Sequence, residues 1–220
     1  MARFLRKLTF LKHNAFFTSM KDYVYYNEDK YSLIRTAELL GIKHLCFIVL
    51  GPDLEKQASE VGSLSNENVS FSVGMIVGSR KYSNKARSLG AEKVYVHDKG
   101  NDIRDIIRED SPDVIFGIER QKRDFMHHRA SGLNQISAKS MKDQDVSLGI
   151  DLGFLRTTKY RSGVMGRMMQ NINLAKKYNL KIECASLAKS WNDMVPPKEV
   201  KSLITVLSDE KVASSIFSRK

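Results

Sequence analysis

The sequence predicts an α/β fold, an irregular TIM-like (β/α) barrel with seven to eight parallel strands. Short apolar runs alternate with helical patterns along the chain, which is typical of successive βα units. The length of 220 residues is near the lower limit for such a barrel and predicts one domain, 1–220. No G-x-G-x-x-G turn follows an early strand, as a doubly wound open sheet would require.

Seven apolar runs are the candidate strands, and each is followed by a segment of helical periodicity. The predicted strands are Tyr23 to Tyr26, His44 to Leu50, Ser70 to Val77, Lys93 to His97, Asp113 to Ile118, Val146 to Ile150 and Lys181 to Ala185. The predicted helices lie near residues 30 to 40, 53 to 60, 82 to 89, 101 to 109, 132 to 143, 160 to 178 and 197 to 207.

The two ends of the chain complete the predicted barrel. Residues 1–18 are basic, and an apolar stripe through Phe4, Leu8, Leu11 and Ala15 predicts an N-terminal helix. Basic residues interrupt its apolar positions, which argues against a secretory signal or a membrane span. The tail from Val212 to Arg219 is expected to add a short eighth strand or to close the seam.

Helix boundaries and faces follow from local chemistry. Gly41 and Gly90 are expected to be left-handed C-caps, and Asn101 and Ser131 to be N-caps. In the helix 160 to 178, methionines at three- and four-residue spacing should face the sheet. The same spacing leaves four polar residues for solvent or a partner: Arg161, Arg167, Gln170 and Lys177.

The charge of the chain favours anionic partners. It has 36 Lys and Arg against 25 Asp and Glu, a net charge of +11 and a pI near 9.6. Such a field attracts nucleic acid first, acidic membrane surfaces second and acidic proteins third. The two cysteines, Cys46 and Cys184, lie in separate apolar runs, which predicts buried thiols in a reducing, cytoplasmic compartment.

Two basic segments are placed after predicted strands, where a barrel carries its binding sites. The run from Glu119 to Arg129 follows the fifth strand, and Arg156, Lys159 and Arg161 follow the sixth, with Lys189 after the seventh. Arginine offers a planar fork to phosphate and a face for stacking on bases. The alternative reading of these runs is a solvated surface.

Four features between Ser131 and Tyr178 resemble the ribonuclease P protein component 3 family of archaea and eukaryotes, and about the last ninety residues are covered well. The four are Ser131-Gly132-Leu133-Asn134 at a helix start, the strand Val146 to Ile150 followed by Asp151-Leu152, Arg161 leading into Arg167-Met168-Met169, and Leu174-Ala175-Lys176-Lys177-Tyr178.

The resemblance implies a barrel of the polymerase and histidinol phosphatase (PHP) type and a noncatalytic subunit of ribonuclease P. That ribonucleoprotein removes 5′ leaders from precursor tRNA. Its RNA supplies the active site with Mg²⁺, while this subunit binds no metal or cofactor and organises the RNA with a Pop5-type protein and other protein subunits. The location implied is the cytoplasm, or the nucleus or nucleolus in a eukaryote. The predicted RNA contacts are Arg120, Lys122, Arg123, His128, Arg129, Arg156, Arg161, Arg167 and Lys189.

Two other functions are compatible with the residues. A metal-dependent phosphoesterase could use Asp98, Glu119 and Asp151, which follow strand ends. The His-x-His pair that ends the first strand of PHP hydrolases is missing from residues 21–27, and His127-His128 are adjacent and diverge. A basic scaffold without RNA would scatter its cations over the whole surface. Trp191 could stack on a base, although a packing anchor is the more usual role of a lone Trp.

Overall fold

A computed structural model describes residues 20–50, 53–77, 80–96, 102–120, 124, 126–127 and 130–217. Its strands form one parallel sheet in the order β1 to β7. They match the seven predicted strands to within a few residues. Their bounds are Lys21–Tyr25 (β1), His44–Val49 (β2), Ser70–Ile76 (β3), Glu92–Val96 (β4), Val114–Phe116 (β5), Ser147–Asp151 (β6) and Ile182–Ala185 (β7).

Helices follow the strands in regular alternation. They are Lys30–Leu40 (α1), Leu54–Gly62 (α2), Arg80–Ser88 (α3), Ile103–Asp110 (α4), Gln135–Asp143 (α5), Leu152–Thr157 (α6), Arg161–Tyr178 (α7), Pro197–Leu207 (α8) and Glu210–Phe217 (α9). Within the described ranges no helix has the length and apolar character needed to cross a membrane. The predicted N-terminal helix, 1–18, falls outside those ranges.

Two helices differ from the prediction. The short helix α6 was not predicted, and it begins where Asp151 caps the amide of Phe154. The tail forms α9, so the prediction of an eighth strand is wrong. Val212 and Ala213 are buried and Ile216 packs against the same core, a spacing that suits a helix and not a strand.

The seam of the barrel closes between β1 and the segment after β7. The Tyr25 amide donates to the Ala188 carbonyl at 2.8 Å, and Val24 pairs with Ala188. Beside this bridge, the fully buried Asp22 accepts hydrogen bonds from both the amide and the hydroxyl of Ser186, each at 2.7 Å. Burial raises the pKa of Asp22 to about 6. This backbone bridge and the Asp22 carboxylate therefore help to hold the seventh strand against the first.

The barrel interior is filled by side chains, as in other small parallel barrels. The rings of Tyr23 and Phe116 meet edge to face with centroids 5.2 Å apart. Gly149 makes room for Phe116, because any Cβ at that position would overlap the ring. Cys46 and Cys184 are buried and unbridged, as the sequence predicts.

The helix ends show which capping predictions hold. Gly41 and Gly90 have φ values of 75° and 65°, the left-handed conformation predicted for them. Helix α5 is capped by Asn134, whose side chain accepts from the amide of Ser137, and not by Ser131. Helix α4 is capped by Asp102, since its carboxylate accepts from the Arg104 amide, and Asn101 lies outside the described ranges.

Candidate nucleic-acid interface

Arg120 lies at the carboxyl-end face of the barrel and is the best-defined cation of the candidate site. It follows β5, and its guanidinium pairs with Asp151 at the end of β6 through Nη2 and through Nε at 3.1 Å. The guanidinium carbon lies 4.9 Å from the centroid of the Phe154 ring. The Arg120 side chain remains 26% exposed, so it is fixed in place and still open to a ligand.

A buried carboxyl group lies beneath this ion pair. Glu119 is completely buried, and its Oε1 accepts the amide of Asp151 at 3.2 Å. Its Oε2 has no hydrogen-bond partner. Burial, reinforced by the charge of Asp151, raises the pKa of Glu119 to about 8. At neutral pH Glu119 is therefore mostly protonated, and Asp151 is the acid that faces Arg120.

The predicted orientation is wrong for two residues of α7. Met169, one of the methionines expected to face the sheet, is 42% exposed. Arg167 was expected to face solvent or RNA, but its side chain is only 3% exposed. Its Nε donates to Asp124 at 2.9 Å, and its Nη1 reaches the carbonyl of Glu119 at 3.5 Å. Asp124 also accepts the amide of Ala130 at 3.0 Å. Arg167 thus ties the segment from Glu119 to Ala130 to helix α7, which makes it a positioning residue.

The burial of Arg167 is shared by two neighbours on the same face of α7. Val164 and Asn171 lie three residues before and four residues after Arg167, and both are buried. The three side chains therefore share one face of α7. Asn171 donates to the Ser131 carbonyl at 2.9 Å, so this face holds the loop after β5 at two points.

Three other predicted contacts are exposed cations on the loops after β6 and β7. Arg156 donates to the Asn192 carbonyl at 2.9 Å and pairs with Asp193. Arg161 donates to the carbonyl of Arg156 at 2.8 Å. The ammonium of Lys189 lies 5.6 Å from the ring of Tyr25. Arg156 and Arg161 are in direct contact and bridge the two loops.

Lys189 belongs to the same face because its backbone is held by the loop after β1. The side-chain amide of Asn27 donates to the Lys189 carbonyl at 2.6 Å. Trp191 lies close by, in the 3₁₀ turn Trp191–Asp193. It is 51% exposed, which is more than expected for a Trp that serves only as a packing anchor. The RNA contacts predicted after the fifth, sixth and seventh strands thus lie on one face of the barrel. The contacts predicted at Lys122, Arg123, His128 and Arg129 lie outside the described residues.

The carboxylates proposed for the rival hydrolase have other roles in the described structure. Asp151 uses one oxygen for Arg120 and the other for the Phe154 amide at 2.8 Å. Glu119 is buried beneath them, and Asp98 is outside the described ranges. Among the residues that the structure covers, no group of three or more His, Cys, Asp and Glu side chains could hold a metal ion.

The described residues define a TIM-like α/β barrel whose carboxyl-end face carries arginine-rich loops. No protein-family model matches the chain. Over 100 residues it is 31% identical to ribonuclease P protein component 3 of Methanosarcina acetivorans and 29% identical to that of Methanosarcina barkeri. Each match includes 43% of this chain and 42% of the relative, so the chain spans less than half the length of these relatives.

Solved structures confirm the fold. A chain of a cryo-EM structure of archaeal ribonuclease P with mature tRNA superposes with a TM-score of 0.69 at 14% identity, covering 89% of this chain and 86% of the other. A crystal structure of an uncharacterized protein matches with a TM-score of 0.50 at 12% identity, covering 92% and 74%. The superposition confirms the predicted barrel fold, and the sequence similarity to ribonuclease P protein component 3 extends over 100 residues.

Proposed function

We propose that this chain is a protein subunit of ribonuclease P, the ribonucleoprotein that removes 5′ leaders from precursor tRNA, and that it binds RNA without doing the chemistry. The observation that carries the proposal is the set of cations on one barrel face, formed by the partly exposed Arg120 and the exposed Arg156, Arg161 and Lys189. The family relationship supports it, since both curated relatives carry this name.

The physical role of this face is to neutralise phosphate charge. An arginine that pairs with Asp151 can exchange that carboxylate for a phosphate, because the two anions present similar paired oxygens. The ring of Phe154 keeps Arg120 in place during the exchange. Arg161 and Lys189 extend the positive surface past the ends of β6 and β7, and condensed counterions are released when RNA binds.

The rest of the holoenzyme enters the proposal through the family resemblance. Catalytic RNA with its Mg²⁺ supplies the active site, and this chain acts beside a Pop5-type protein, other protein subunits and precursor tRNA. Action in the cytoplasm, or in the nucleus or nucleolus of a eukaryote, is part of the same proposal. A smaller repulsion between phosphates would help that RNA to keep its cleavage geometry.

The salt dependence of RNA binding tests the interface. Arg161→Gln and Lys189→Gln are each expected to weaken binding and to lower the slope of log K against log salt by roughly 0.7–0.9, since each removes one phosphate contact. Filter binding of the holoenzyme RNA at several salt concentrations measures this slope. Lys181→Gln is a matched control, because Lys181 pairs with Asp145 at the opposite, amino-terminal end of β7.

RNA binding and the basic-scaffold alternative predict different results for these variants. Ribonuclease P RNA binding predicts a lower slope for Arg161→Gln and Lys189→Gln but an unchanged slope for Lys181→Gln. A basic scaffold with diffuse charge predicts equal changes for all three. Unchanged slopes for Arg161→Gln and Lys189→Gln would remove both side chains from the interface and contradict the proposal.

A further inference from the structure

An apolar groove opens beside the cationic face, between helices α6, α7 and α8. Its volume is about 410 Å³, within the roughly 300–1,000 Å³ of small-molecule sites. Charged side chains at its edge are Arg156, Arg161 and Glu199. The apolar side chains that line it are Leu152, Leu155, Met165, Val195, Val200 and Leu203.

The two arginines are fixed at the edge of this groove. Arg161 donates to the carbonyl of Arg156, and Arg156 is held in turn by the Asn192 carbonyl and by Asp193. A guanidinium has five N–H donors, so these contacts leave donors on both arginines for an anion. Positive charge thus meets apolar surface at the point where the groove joins the cationic face.

Glu199 adds a hydrogen-bond acceptor to the same groove. It lies in the first turn of α8, one residue before the fully buried Val200, and its side chain is exposed. Only guanine among the four RNA bases presents two adjacent N–H donors on its Watson–Crick edge, and a carboxylate accepts both. Adenine, cytosine and uracil would each place a ring nitrogen or carbonyl acceptor against the carboxylate.

We propose that this groove binds one unpaired guanosine nucleotide of RNA. The base lies against the apolar lining, Glu199 accepts its two edge donors, and Arg156 and Arg161 bind its phosphate. Unpaired bases stack on guanidinium planes as well as on aromatic rings, and positively charged grooves follow the RNA backbone, so the two arginines supply both kinds of contact. This inference rests on the proposed function, because RNA that follows the cationic face would reach the groove.

Binding of short RNAs to the whole chain tests the inference. Fluorescence anisotropy with labelled UUGU, UUAU and UUCU is expected to show a preference for the guanine-containing RNA of about tenfold. Glu199→Gln should remove most of that preference, because the amide N–H₂ opposes the guanine donors. Arg161→Gln should weaken binding of all three RNAs. Glu67→Gln, an exposed carboxylate in the loop before β3, is the matched control and should leave the preference unchanged.

A negative charge in the groove lining provides a second test. Leu203→Asp places a charge in the lining and should abolish the binding of all three RNAs. Glu199→Gln changes only an exposed side chain, so it tests the same site without perturbing the core. Equal affinities for UUGU and UUAU in the unmodified chain would overturn the assignment of guanine. A folded Leu203→Asp chain could instead keep its RNA affinity and no longer bind a protein subunit. That result would show that the groove binds a protein, and it would overturn the proposal.

This test separates the groove from the proposed function. If the chain binds ribonuclease P RNA with the predicted salt slope but shows neither base preference nor an effect of Leu203→Asp, the groove proposal fails and the function stands. If the chain binds no RNA at all, both fail. A guanine preference that Glu199→Gln removes would support both.

Discussion

Arg167→Met is expected to lower the free energy of unfolding by about 3 kcal/mol, because it removes one partner of a largely buried ion pair. The Arg167 side chain is 3% exposed and the Asp124 side chain is 24% exposed. The substitution therefore removes a guanidinium from the Asp124 carboxylate in a partly buried environment. The carbonyl of Glu119 loses a donor at the same time. Urea unfolding followed by circular dichroism measures the loss.

Arg161→Met is the matched control for that measurement. It removes the same charge from the same helix, but the Arg161 side chain is exposed. Its unfolding free energy should change by about 0.5 kcal/mol or less, while its RNA affinity falls. Equal destabilisation by the two substitutions would contradict the positioning role assigned to Arg167.

Glu119→Gln is expected to remove most of the pH dependence of stability between pH 6.5 and 8. The pKa of Glu119 is raised in the folded chain to about 8, so the folded state holds a proton that the unfolded state has released. The contribution of protonated Glu119 to the free energy of unfolding is therefore complete below the pKa that this group has in the unfolded chain. The contribution is lost as the pH rises towards 8. Over this window the unmodified chain should lose roughly 2 kcal/mol of unfolding free energy.

The pH range from 6.5 to 8 distinguishes Glu119 from Asp22, a second buried carboxyl group with a raised pKa. The pKa of Asp22 is raised only to about 6, so its contribution is largely lost by pH 6.5. Chemical unfolding at pH 6.5 and 8 should show nearly equal stabilities for Glu119→Gln, whereas exposed Glu67→Gln should behave like the unmodified chain. A Glu119→Gln variant that still loses about 2 kcal/mol would show that another group titrates.

The regular part of the fold could be predicted because it depends on local pattern. Each of the seven strands is a short apolar run, and Gly41 and Gly90 occur where a left-handed backbone ends a helix. The tail was misjudged because Val212 to Arg219 is too short for its periodicity to separate a strand from a helix. Packing of its apolar side chains against the core favours the helix.

The candidate site was less predictable because its key contacts join residues far apart in sequence. The helical spacing of the apolar residues placed Arg167 on the surface, but its partner Asp124 precedes it by 43 residues. The pairing of Arg120 with Asp151 likewise needs two strand ends to meet. The raised pKa of Glu119 comes from complete burial, which no sequence pattern reveals. Placement after strand ends was sufficient to predict that Arg120, Arg156 and Lys189 lie on this face, but not which residues they contact.

The most direct test of the central claim is cleavage of a precursor tRNA by material copurified with the tagged chain from its native cell, before and after micrococcal nuclease treatment. A ribonucleoprotein subunit predicts correct 5′ cleavage that is lost when the RNA is digested. Cleavage that survives the nuclease would contradict this function, would identify a protein enzyme, and would direct attention to Asp98, Glu119 and Asp151.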